Sequence, residues 1–205
     1  ASGMKKNRYG NIEDIVENVT MVTPRGVVEQ VVAMPRIAMG MQFQHLLFGS
    51  EGNLGLITRA VIRLYKLPEV KKYGSLVFPD FETGVAFLYA LTRAGVLPAS
   101  IRLVDNIQFR FGQALKPRPT QQQALIGKAQ KAYLLRVKGF DPHKLCAATI
   151  VMEGSADEVA YQEKTVNRLA AQYGGVAGGA ANGRRGYMLT YAIAYIRDFL
   201  IDYQI

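Results

Sequence analysis

The sequence is short of cysteine, histidine and long apolar runs, and each shortage removes a class of function. Its one cysteine, Cys146, excludes a disulfide within the chain. That thiol sits in the apolar, strand-like run Lys144–Met152, where cysteine serves as a small core residue. His45 and His143 stand in unrelated contexts without the cysteine or carboxylate spacing of a zinc site, so no metal site is expected. No apolar stretch reaches the ~18 residues that cross a bilayer as a helix. Blocks of like charge are missing too: 25 Lys and Arg against 16 Asp and Glu give a net charge of +9, yet the basic residues are scattered. Scattered cations make a solvated face; they argue against nucleic acid and leave an acidic membrane surface or phosphorylated ligands as anionic partners.

What is present is a globular composition with a glycine-rich centre. In 205 residues, 49% hydrophobic content can bury one sizeable core or two modest ones. Val19–Val22 and Val27–Val31 flank Thr23-Pro24-Arg25-Gly26 and predict a hairpin over residues 18–32. Gly49-Ser50-Glu51-Gly52-Asn53-Leu54-Gly55 then runs straight into Leu56-Ile57-Thr58. Three glycines in seven residues let the backbone turn tightly and pass close to a bound group, or simply turn before an edge strand. Leu56–Leu64 alternates well enough to predict a half-buried strand. Leu67-Pro68-Glu69 breaks that pattern and marks a domain boundary, giving one domain over residues 1–68 and another over 69–205.

The second domain shows the order strand, helix, strand twice. Tyr73–Phe78, Asp80–Ala94 with an Asp cap, and Ser100–Val104 form the first unit. Leu145–Met152, Ser155–Tyr173 and a short strand near Val176 form the second, with capping-box spacing at Ser155 and Glu158. Val159, Val166, Leu169, Ala170 and Tyr173 share one helical face. Two such units imply a ferredoxin-like arrangement. Residues 106–138 carry helical patterns broken by Lys116-Pro-Arg-Pro119, with a brief Gln121–Gln123 run. Gly183–Tyr203 predicts a last helix whose Tyr187, Tyr191, Ile193, Tyr195 and Phe199 form an aromatic stripe expected in the core.

The run GSEGNLGLIT resembles the flavin loop of FAD-dependent enzymes of the vanillyl-alcohol oxidase fold, with Asn53 where Thr is usual. Three further stretches are similar to the alkyldihydroxyacetonephosphate synthase family: Ala1–Asn7 with Tyr9–Asp14, Pro98–Asn106, and Arg185–Tyr191 leading to Ala194–Asp198. The resemblance implies an α+β chain, with the end of a vanillyl-alcohol oxidase type FAD-binding domain followed by an incomplete ferredoxin-like substrate cap. It implies FAD as cofactor, touched by Ala1, Ser2, Glu51, Gly52, Asn53, Leu54, Gly55, Leu56 and Ile57, with Arg102 supporting the flavin site. Glu51 lies against the cofactor or caps the following turn. Arg102 also reads as a strand cation paired with Asp105, another carboxylate or an anionic ligand. Arg197 is implied as the ligand of the phosphate headgroup or acyl carboxylate, unless Asp198 pairs with a neighbouring helix and leaves the arginine merely exposed.

The activity implied is a non-redox use of FAD. The acyl group of acyl dihydroxyacetone phosphate is exchanged for a long-chain fatty alcohol through a covalent cofactor adduct, in ether-lipid synthesis. By the same resemblance the pyrophosphate loops precede residue 1, and a catalytic tyrosine and histidine-rich loop follow Ile205, so no catalytic residue is expected within the chain. A homodimer resting on a membrane surface in the peroxisome or glycosome is implied, although no targeting signal is visible. Two alternatives remain: an FAD-dependent 2-hydroxy acid dehydrogenase of the lactate or glycolate type, and a non-catalytic basic domain that binds acidic membrane surfaces.

Overall fold

A computed structural model describes residues 3–30, 42, 44–115, 127, 129 and 131–203, with residues 193 and 194 by their backbone alone. The chain divides into two compact units, Ala1–Leu67 and Pro68–Ile205. Ala1 and Ser2, Val31, the Lys116–Pro119 break and Gln121–Gln123 lie outside the described residues, as does the side chain of Ile193.

In the first unit, helical turns α1 (Lys6–Tyr9) and α2 (Ile12–Ile15) lead into β1 (Val16–Thr23), β2 (Gly26–Glu29), α3 (Gln44–Leu47) and β3 (Leu56–Ile62). The start of α2 is fixed by Asp14, whose carboxylate accepts from the Asn11 amide at 2.8 Å. Antiparallel pairing gives the strand order β2-β1-β3. Thr23 faces Gly26 across the two-residue turn, and its hydroxyl donates to the Gly26 carbonyl at 2.8 Å. Val16, Val19 and Met21 of central strand β1 bury against Leu47 of α3. The expectation that β3 is half-buried fails: Leu56 is 70% exposed and Ile57 and Ile62 are exposed as well. The β1–β3 register shifts at Val16/Asn18 and again at Thr20/Met21. The shifts are not the cause: consecutive residues such as Leu56 and Ile57 are exposed alike, so among the described residues no second layer covers either face of β3.

The second unit comprises β4 (Val70–Phe78), α4 (Phe81–Arg93), β5 (Ser100–Val104), α5 (Asn106–Ala114), a π-helical turn (Tyr133–Val137), β6 (Cys146–Gly154), α6 (Ala156–Gln172), β7 (Val176–Ala177) and α7 (Ala180–Asp202). The sheet order is β5-β6-β4-β7 with every ladder antiparallel. Hence β4 and β5 run parallel with β6 between them, and β6 and β7 run parallel with β4 between them. This is the ferredoxin-like topology. One sheet face carries Leu76, Phe78, Cys146, Ala148, Ile150 and Met152, which bury against Phe87 and Leu91 of α4 and Val159, Val166 and Ala170 of α6. The Cys146 thiol donates to the Asp80 carbonyl at 3.1 Å, and burial pushes its pKa up to about 11. Asp80 caps α4 by accepting from the Thr83 amide at 2.8 Å, and Ser155 caps α6 by accepting from the Glu158 amide at 3.3 Å.

The opposite sheet face is also covered. Tyr73 of β4, Thr149 of β6 and Arg102 of β5 all turn towards α7, as strand alternation requires. Glycine makes the close approach possible: a Cβ on Gly183 would fall on the Gly74 backbone, and one on Gly186 would collide with Thr149.

Candidate functional site

In the first unit, the loop after α3 bends back on itself by the Ser50 amide donating to Leu47 O at 3.2 Å and the Asn53 amide to Ser50 O at 2.8 Å. Gly49 and Gly52 have φ of 78° and 84°, and Glu51 between them has φ of 47°. A left-handed residue other than glycine costs about 1–2 kcal/mol, so the loop holds Glu51 in a conformation its side chain opposes. A Cβ at Gly49 or Gly52 would meet nothing within 4 Å, so free space lies beside both backbones. Gly55 is different. Its Cβ would stand 2.5 Å from the Val22 carbonyl oxygen, so only glycine lets β3 start beside β1. Residues 51–54, 56 and 57 are exposed and Gly55 is half-buried. Exposed backbone, open space and left-handed turns leave room for a bound group to pass close to the peptide chain.

The second unit holds the two arginines. Arg102 does not pair with Asp105; its guanidinium donates to the Thr190 hydroxyl of α7 at 2.6 Å. Asp105 is already engaged, capping α5 by accepting from the Gln108 amide at 2.7 Å. A carboxylate that caps a helix keeps its place at the helix end, and the arginine on the strand reaches across to α7 instead. Arg197 lies on the distal part of α7 and donates through Nε and an Nη to Asp198 Oδ1 at 2.9 and 2.7 Å. Asp198 therefore pairs with its own neighbour rather than with another helix. Both side chains are largely exposed, 70% and 61%, so this ion pair is weak and open to exchange.

The aromatic stripe divides. Tyr187 is buried, but Tyr191, Tyr195 and Phe199 are exposed, because only the first half of α7 crosses the sheet closely. Under that half lies a polar cluster that sequence reasoning missed. Glu153 of β6, 1% exposed, meets Lys71 Nζ at 3.3 Å. The same ammonium stands 5.4 and 5.8 Å from the ring centroids of Tyr73 and Tyr187. Burial first, then hydrogen bonding to Tyr191 and the charge of Glu153, raise the Tyr187 hydroxyl well above its usual pKa, so it stays protonated. One signal was available: Glu153 closes the apolar run Ile150-Val-Met152, where a carboxylate requires a cation.

Known proteins match this chain along nearly its whole length. Residues 67–204 match the family model described as FAD linked oxidases, C-terminal domain. Alkyldihydroxyacetonephosphate synthase of Caenorhabditis elegans is 47% identical over 97% of the chain and 33% of its own length. The synthase of Dictyostelium discoideum is 30% identical over 99% of the chain and 33% of its own. A solved structure of alkyldihydroxyacetonephosphate synthase superposes with a TM-score of 0.81 at 30% identity, covering 98% of the chain and 36% of that protein. The chain thus spans about a third of the length of the curated relatives it matches. By its matched domain and by this likeness, the chain belongs to the FAD linked oxidases, among the relatives of alkyldihydroxyacetonephosphate synthase.

Proposed function

We propose that the protein carrying this chain replaces the acyl group of acyl dihydroxyacetone phosphate by a long-chain fatty alcohol, giving alkyl dihydroxyacetone phosphate. The observation that carries this reading is the loop at Gly49–Gly55, with its left-handed Glu51 and Gly52, in a chain 47% identical to a synthase of that name. Bound FAD would supply the reactive ring, while Glu51–Ile57 would supply position through peptide groups. Arg102, steadied by Thr190, would hold its charge in place to support the flavin site. Arg197 would exchange its exposed partner Asp198 for the phosphate of the substrate, where a guanidinium fork makes two parallel hydrogen bonds. Apolar substrates drawn from a bilayer suit a homodimer resting on a membrane surface, in a peroxisome or glycosome.

The test uses the full-length protein. It is expected to purify yellow, to release fatty acid over many turnovers only when acyl dihydroxyacetone phosphate and a fatty alcohol are both supplied, and to leave lactate and glycolate unoxidised. Gly52→Val, forced into a φ of 84°, should lose the flavin. A colourless wild-type protein, a normal flavin content in the variant, or turnover of 2-hydroxy acids would each refute the reading.

A further inference from the structure

The two faces of the sheet in the second unit differ in kind. Under α4 and α6 the buried cluster is apolar, whereas the face under α7 buries Ser75, Ser100 and Glu153, one from each of β4, β5 and β6. Strand alternation sets these three with Tyr73, Thr149 and Arg102. A buried ion pair stabilises a fold no better than apolar residues of the same size, since each charge loses water before it gains a partner. Stability alone therefore does not account for Lys71 and Glu153 at this place. Two cations of this face are met by α7. The Lys71 ammonium, 3.3 Å from the Glu153 carboxylate, lies 5.8 Å from the centroid of the Tyr187 ring, and the Arg102 guanidinium donates to the Thr190 hydroxyl at 2.6 Å. Tyr187 and Thr190 stand at i and i+3, neighbours on one side of the helix. The Tyr73 ring supports Tyr187 from the sheet, with centroids 5.8 Å apart. Because Gly183 and Gly186 bring α7 hard against the strands, the helix cannot shift without disturbing both contacts.

We infer that the buried Lys71–Glu153 pair is a positioning element for Arg102: it seats Tyr187, and the helical turn from Tyr187 to Thr190 carries that seat to the hydroxyl that aims the guanidinium. The inference rests on the reading of Arg102 as a support of the flavin site and adds the residues that fix the direction of its charge. Arg102 is exposed and has no carboxylate partner among the described residues. A hydroxyl on another element thus sets where its fork points. Thr190 is β-branched and presents that hydroxyl in few rotamers, so its accuracy is that of the helix. The helix in turn is pinned from the sheet by the ammonium and by the two tyrosine rings.

Titration of FAD into the full-length apoprotein, followed by flavin fluorescence, tests the inference without turnover. Thr190→Val removes the acceptor and is expected to weaken FAD binding about tenfold, the loss of one charged hydrogen bond, whereas Thr190→Ser should keep it. Lys71→Met with Glu153→Gln removes both charges together, so that neither is left buried alone. It should weaken binding about fivefold through the same helix, and so should Tyr187→Leu, which spares both charges. Lys71→Arg should bind as wild type. Joined to Thr190→Val, the Lys71 and Glu153 changes should add less than about twofold, because all act on one guanidinium. Asp80→Ala, at the cap of α4 on the opposite face, is the control for lost stability and should leave FAD binding unchanged. Losses that follow the melting temperature, Asp80→Ala included, would make the pair merely structural and overturn the inference. So would additive losses. Wild-type affinity in the Thr190→Val protein, or in both the Lys71 and Glu153 double variant and Tyr187→Leu, while Arg102→Met weakens binding, would overturn the inference and keep the reading of Arg102. Unchanged FAD affinity in Arg102→Met would refute both.

Discussion

Arg197 and Arg102 are both cations near α7, but their settings differ. Arg102 is steadied by a hydroxyl and no carboxylate competes for it among the described residues, whereas Arg197 shares one carboxylate oxygen with solvent. A phosphate reaching Arg197 displaces only a weak partner. Arg197→Ala should therefore raise the KM for acyl dihydroxyacetone phosphate about tenfold, the low end for a charged contact because the site is exposed, and leave the KM for the alcohol unchanged. Arg197→Lys should recover part of the loss, since an ammonium keeps the charge without the fork. Steady-state kinetics with each substrate varied in turn decide it, and equal changes for both substrates would remove Arg197 from the phosphate. The position of each arginine on its element was legible from alternation and helical pattern. Their partners were not, because Thr190 lies 88 residues from Arg102 in sequence and nothing local marks a hydroxyl as a guanidinium acceptor.

Elements of the second unit were read more accurately than those of the first, for reasons that lie in the caps and the period. Asp80 and Ser155 fix where α4 and α6 begin, and β5 begins and ends at Ser100 and Val104 as expected. Strand β3 misled because its alternation suggests a covered face, whereas among the described residues neither of its faces is covered. The cap at Asp80 also carries a pH dependence. Its carboxylate accepts first from the Thr83 amide and then from the Thr83 hydroxyl, and these bonds lower its pKa below the ordinary 3.8. A carboxyl whose pKa falls on folding stabilises the fold above its unfolded pKa and loses that contribution as pH falls through the folded value. Asp80→Ala should cost about 1 kcal/mol near neutral pH, and the gap from wild type should narrow below the ordinary carboxylate range. Urea melts at both pH values measure it; a gap that stays constant would mean the charge is irrelevant to the cap. On α7, Gly183→Ala should be more damaging than any exposed helix glycine, since its methyl group meets the Gly74 backbone and must lift the helix off the sheet. A loss of about 2 kcal/mol is expected, although alanine is the better helix former, and a stabilised variant would show that the close packing is not strained by a Cβ.

At the scale of the whole chain, composition allowed either one large core or two modest ones, and among the described residues burial is unequal between the units. The second unit closes a sheet with helices on both faces and, among the described residues, buries eleven in its largest apolar cluster. In the first unit the cluster among described residues is Val16, Val19, Met21 and Leu47, while Val27, Leu56, Leu64 and Leu67 stay exposed. Sequence could not show this difference, because hydrophobic content is counted by residue and burial depends on which strands find a second layer. Residues 68–205 expressed alone are expected to melt cooperatively, with a urea slope of about 1–3 kcal/mol/M for a domain of this size. Residues 1–67 expressed alone should show no cooperative transition, since a chain of that length buries too small a share of its surface to offset the entropy of ordering it. Circular dichroism against temperature and denaturant separates the cases. A sigmoidal melt from residues 1–67 would mean that the three-stranded sheet is self-sufficient, and a featureless one from residues 68–205 would mean that the ferredoxin-like unit depends on the segment before it.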